Sequence, residues 1–228
     1  MGVALLASLS TVALYAACGS SGPTSPKTTA AAAGYHGLTV DAAGVAWGNG
    51  QSATDQTTLW NGMALVTNHS AREMADNVAI EIFAYGSTGQ VVGTGSALIS
   101  VIHPGQQVGI ATTLSGVSAP PTRLAVRVAS ATWLPDPTPK ATIVGKNIRL
   151  QQQGQYDPDD YTASGDLVST YDSTMTEVSV SAVCFDRAGK IVGGGGQYLQ
   201  RLPGHSTAGL SVTVYASNPA SCRFYGDP

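Results

Sequence analysis

The sequence predicts an all-β protein: two tandem immunoglobulin-like β-sandwiches that follow a signal peptide and a flexible linker. Three observations carry this prediction. A block of the chain recurs about 100 residues later, apolar and polar residues alternate at period two in both copies, and no stretch has the 3.6-residue apolar spacing of a long amphipathic helix. Composition agrees: only 11% of residues are charged, against a usual value near 25%, and Gly, Ala, Ser and Thr abound, as in exported β-rich proteins with a surface of hydroxyls and amides.

Taken in order, residues 1–17 read as a signal peptide. Val3 to Ala17 is an unbroken stretch without charge, shorter than the ~20 apolar residues a transmembrane helix needs but fitting the apolar region of a secretory signal. Ala16 and Ala17 stand directly before Cys18, with Gly19, Ser20 and Ser21 after it, and this pattern resembles the lipobox of bacterial lipoproteins. The resemblance implies that Cys18 is lipidated. Two acyl chains, at about 0.8 kcal/mol per buried CH₂, would then tie the protein stably to the extracytoplasmic face of the cell membrane. The alternative is an ordinary signal cut after Ala17 or later, with Cys18 a stray thiol. Residues 18–36 read as a flexible tether: from Gly19 to Gly34 they are Gly, Ser, Pro, Thr and Ala with a single Lys, too poor in apolar area to offset the entropy of ordering.

The first sandwich is expected over residues 37–134 and the second over residues 141–228. Val78-Ala79-Ile80-Glu81-Ile82 lies over Val178-Ser179-Val180-Ser181-Ala182, with Tyr85 over Phe185, Gly89 over Gly189 and Val92-Gly93 over Val192-Gly193, all at one offset of 100. Pro104-Gly105 matches Pro203-Gly204 at 99, and Leu65-Val66 matches Leu167-Val168 at 102. The central segments alternate as half-buried strands do. Gly89 and Gly189 supply the φ > 0 residue of a hairpin turn, the Pro-Gly pairs supply the next turn, and Leu124–Val128 and Cys222–Tyr225 close each unit. Leading strands fall around Thr39–Trp47, Leu59–Thr67, Thr142–Leu150 and Gly165–Thr170. Residues 135–140, with Pro135, Pro137 and Pro139 in alternation, block helix and central strand alike and read as a stiff Pro-rich linker.

With these residues set out, each unit resembles the FxLYD domains of bacterial surface lipoproteins. The likeness runs from Ile82-Phe83-Ala84-Tyr85 through Gly93 with Pro104-Gly105, and from Val183-Cys184-Phe185-Asp186 through Gly193 with Pro203-Gly204. It implies a lipoprotein with two tandem FxLYD-like domains on the cell exterior and no particular activity.

Cys184 and Cys222 remain once Cys18 is assigned to lipid, an even pair in a compartment where disulfides persist. They are expected to be bonded; two buried free thiols are the alternative. The glycine run Gly193–Gly196 lacks the Lys and Ser/Thr of a phosphate loop, and Gly93-Thr94-Gly95 stands at the same place in the first copy, so a shared strand or bulge requirement explains it better. Asp157, Asp159 and Asp160 offer oxygens to a cation without a calcium-loop frame. His36, His69, His103 and His205 share no ligand spacing, so no metal site and no cofactor are assigned, and the four are expected on surface turns. Asn68-His69-Ser70 matches a glycosylation sequon, of little weight behind a bacterial-type leader. No Gly-x-Ser-x-Gly elbow supports nucleophilic catalysis. Trp47, Trp60, Trp133, Tyr156, Tyr161 and Tyr198 read as packing, or, if several share an exposed face, as a carbohydrate platform.

Eleven scattered Lys and Arg and a net charge of −3 argue against nucleic acid as a partner. The leading expectation is a lipid-anchored, non-enzymatic binding or structural module of the cell envelope, with a membrane anchor and an envelope protein or polysaccharide as partner. Alternatives are an accessory protein or weak hydrolase with a site in the interdomain cleft, and an assembly helper that binds extended peptides by edge-strand addition.

Overall fold

The computed structural model of the protein describes residues 35–49, 58–136, 141–153 and 159–228. The signal peptide, Cys18 and the tether up to Gly34 lie outside the described residues, as do Pro137 to Lys140 of the expected linker. Tyr35 and His36, expected in the tether, already belong to the fold: Tyr35 exchanges two backbone hydrogen bonds with Leu38.

The described residues are all β, twelve strands without a helix. The first six are β1 (Leu38–Asn49), β2 (Thr58–Asn68), β3 (Glu73–Tyr85), β4 (Val91–Ile102), β5 (Gln107–Thr113) and β6 (Arg123–Pro135). They form two three-stranded antiparallel sheets, β1-β2-β5 and β4-β3-β6. One apolar core draws on all six strands, Val40, Val66 and Ile110 from one sheet with Ile82, Ile99 and Val126 from the other. The period-two pattern of β3 is the clearest local cause, since Val78, Ile80, Ile82 and Ala84 are buried while the residues between them are half-exposed.

The second six are β7 (Ile143–Gln152), β8 (Asp160–Ser169), β9 (Met175–Phe185), β10 (Ile191–Leu202), β11 (Thr207–Ala216) and β12 (Ser221–Asp227). Here the structure departs from the expected sandwich, because the strands close into a six-stranded barrel in the order β10-β11-β8-β7-β12-β9. The neighbours are nevertheless those of the first half, β7-β8-β11 answering to β1-β2-β5 and β10-β9-β12 to β4-β3-β6. Closure comes from thin additions, Gly193–Ala216 and Gly194–Tyr215 between β10 and β11 and Tyr225–Val144 between β12 and β7. Glycine is the physical reason. A Cβ on Gly193 would run into Tyr215 and Ala216, and one on Gly195 into the Thr213 carbonyl, so the bare backbone is what lets β10 lie against β11. In the first half no ladder joins β4 to β5: β4 meets that edge through a Thr94–Ser115 bridge and through the Thr112 hydroxyl, which donates to the Ser96 carbonyl.

Pairing also corrects the alignment of the two copies. Gly105 has φ 72° and the residue with left-handed φ in the second copy is His205, at 48°, not Gly204, so the turns correspond at an offset of 100 rather than 99. Asn77 and Glu177, both left-handed, repeat the same offset. In the upstream strands Gly109 pairs with Leu65 and Gly209 with Asp166, which makes that offset 101 rather than 102.

Cys184 and Cys222 are directly opposed on β9 and β12, both buried, with their sulfurs at bonding distance. The corresponding pair in the first half is Ala84 opposite Leu124.

Candidate functional site

The halves meet along an apolar seam. Ala46, Met63 and Leu65 from β1 and β2 pack against Val183, Phe185 and Ile191 from β9 and β10, in a cluster distinct from either core. Glycines bring the backbones together: a Cβ on Gly44 would sit 2.6 Å from Ile191 Cγ2, and one on Gly109 would strike the Tyr225 ring. Two polar stitches flank the seam. The Ser181 hydroxyl oxygen accepts the Ala111 backbone N–H at 3.0 Å. Asp227 accepts the Ser100 backbone N–H at 2.9 Å and the Ser100 hydroxyl at 2.9 Å. Burial pushes the Asp227 carboxyl above its ordinary value, and hydrogen bonds from Ser100 and the Val101 backbone oppose that rise without cancelling it.

Beside the seam lie three contiguous depressions, of about 150, 470 and 320 Å³, that share Thr112 in their linings. The first and third lie between the β4–β5 side and β9–β10, with the end of β12 also lining the first, and the second continues from them onto β3, β4 and β5 of the first half alone. The walls carry hydroxyl and amide groups, among them Ser96, Thr112, Ser179 and Gln197, and include no Lys, Arg or His. The carboxylates there are engaged, Asp227 by Ser100 and Glu81 by Arg127 at 2.5 Å. Tyr198 and Leu98, 73% and 64% exposed, are the two most exposed large apolar side chains among the described residues, and both line the same depression.

The other residues singled out in the sequence go elsewhere. His103, expected on a surface turn, is buried at 5% exposure, its Nδ1 2.6 Å from Asp136. His205 is exposed and pairs with Asp172 at 2.8 Å. The Thr39 hydroxyl donates to Asp41 at 2.8 Å and lies 2.9 Å from His69 Nε2. Because carboxylate and imidazole meet the same hydroxyl, the order nucleophile, base, orienter that activates a hydroxyl is not formed. Asn68 of the sequon is fully buried, its amide donating to the Glu73 and Ile102 carbonyls, which leaves no room for a glycan. Among the described residues no three His, Cys, Asp or Glu side chains converge as metal ligands; Asp157 lies outside them. Trp60 is buried, Trp47 and Trp133 pack on the first core, Tyr161 packs on the second, and Tyr156 lies outside the described residues. Among the described members of that set, Tyr198 alone presents its ring.

Sequence reading missed the seam, although a signal for it exists. Ala182, Val183, Cys184 and Phe185 form an unbroken apolar run, which marks a strand buried on both faces. No protein-family model matches the chain, and no curated protein matches it.

Proposed function

We propose that this chain is a lipid-anchored cell-envelope protein whose two β units, held as one body, act as a non-enzymatic binding module. The observation that carries the reading is the buried apolar seam of Met63, Leu65, Val183, Phe185 and Ile191 beside a groove of uncharged polar groups. A hydrolase working in the interdomain cleft would need an acid and a nucleophile converging there. Instead the one carboxylate at the seam is spent on holding β4. We read the two halves as copies of one immunoglobulin-like unit, FxLYD-like in its central strands, because the strand neighbours recur and Ala84–Leu124 stands where Cys184–Cys222 does.

The anchor rests on the lipobox-like Ala16-Ala17-Cys18 and is tested in cells fed a labelled fatty acid. The wild-type chain is expected in the membrane fraction and labelled. Cys18→Ala is expected unlabelled, and either released or left uncleaved. A cleaved Cys18→Ala product retained as well as wild type would refute lipid anchoring.

A further inference from the structure

Resting on the reading of this protein as a binding module, we propose that the groove between β4–β5 and β9–β10 binds a neutral polysaccharide chain. Four features select this ligand. Tyr198 and Leu98 stand more exposed than any other large apolar side chain described, and they face one depression, where burying them against a partner would be favourable. Between them the walls offer hydroxyls and amides, which donate and accept hydrogen bonds without charge. A pyranose has the complementary surface: an apolar C–H face that can lie on an aromatic ring and a rim of hydroxyls for the walls. With no cation in the linings and both carboxylates already engaged, nothing in the groove favours an anionic or a cationic partner.

The three depressions adjoin at Thr112, and together they offer more room than a single small molecule fills, which suits a chain. The groove is also preorganised, since β9 and β10 are paired in one ladder, β4 and β5 are each held in a ladder with β3 and β2, and the apolar seam fixes the two halves against each other. An extended peptide would instead need a free strand edge. The outer edge of β4 is interrupted by Thr94 bridging Ser115, by the Ser96 carbonyl accepting the Thr112 hydroxyl, and by Ser100 bound to Asp227, so a continuous added strand has no ladder to join.

The full chain, purified in a polyoxyethylene detergent whose head group is no sugar, is run in native gels cast with dextran, galactomannan, laminarin or soluble starch, and in one with the anionic polymer alginate. At least one neutral polymer is expected to retard it. Tyr198→Ala should weaken that retardation about tenfold or more, the loss that removing an aromatic stacking surface brings, while Tyr198→Phe stays within about threefold. Leu134→Ala, at an exposed position on β6 that lines none of the three depressions, should behave as wild type. Retardation by none of the neutral polymers, by alginate alone, or undiminished in Tyr198→Ala would overturn the assignment. An acylated wild-type protein that ignores every polymer fails the groove and leaves the anchor standing. A Tyr198-dependent binder without acyl label does the reverse.

Discussion

Asp227 and Asp41 show how two carboxylates in similar strands acquire opposite pH behaviour. Asp227 is buried at the seam, and loss of water outweighs its bonds to Ser100 and Val101, so its pKa rises. Burial pushes Asp41 upward too, but hydrogen bonds from Thr67, Thr39 and Gln107 and the charge of His69 outweigh it, so its pKa falls. The signs follow from linkage. A carboxyl raised on folding contributes stability that is fully present below its ordinary value of 3.8 and lost as pH rises through the raised folded value. A carboxyl lowered on folding contributes stability present above 3.8 and lost as pH falls through the lowered value. Urea midpoints of wild type, Asp227→Asn and Asp41→Asn, followed from pH 7 downward, check this. Wild type should gain on Asp227→Asn as the pH drops and lose ground to Asp41→Asn. Parallel curves for the two variants would remove the distinction.

At the scale of elements, much was legible because a half-buried strand writes its own pattern. β3 alternates without a break from Val78 to Tyr85, and Gly89 and Gly189 do take the left-handed conformation their turns require, at φ 86° and 79°. The cysteine pair was legible for a different reason, compartment and parity. The closing of the barrel was not, because it depends on which strand a glycine backbone lies against, and a glycine run in sequence names no partner. Nor was the turn at His205, where an ordinary residue and not the neighbouring Gly204 holds the left-handed position. The groove was legible only as loose letters: Tyr198 was one aromatic among six until the fold exposed its ring. The matched positions of the halves predict a specific rescue. Replacing both Cys184 and Cys222 by Ala removes the cross-link over a separation of 38 residues and leaves a void, and should lower stability by up to about 4 kcal/mol. Cys184→Ala with Cys222→Leu, which copies the Ala84–Leu124 pair of the first half, refills that space and should lose less in urea denaturation. Equal losses would mean that the two sites are not equivalent in packing.

Across the whole molecule, the seam decides whether the halves behave as two bodies or one. A Pro-rich connection alone would leave relative motion as the default between neighbouring domains. Here six buried apolar side chains, two close glycine contacts and the Asp227–Ser100 clasp oppose that motion, and a groove whose walls come from both halves depends on it. Ile191 is the most informative probe, being buried in the seam with Gly44 directly beneath it. Ile191→Ala should cost about 2–5 kcal/mol, as truncating a buried Ile does. Ile191→Asp should cost more, because it adds an unpaired carboxylate to an apolar contact. In calorimetry of the disulfide-intact full chain, wild type is expected to unfold in one transition whose van't Hoff and calorimetric enthalpies agree. Ile191→Asp should divide it in two, the half with β1 to β6 and the half with β7 to β12 melting separately. Neutral-polymer retardation should weaken in the same variant, although Ile191 does not line the groove. Two transitions already present in wild type would mean that the seam does not couple the halves, and the groove would lose the rigidity on which its affinity depends.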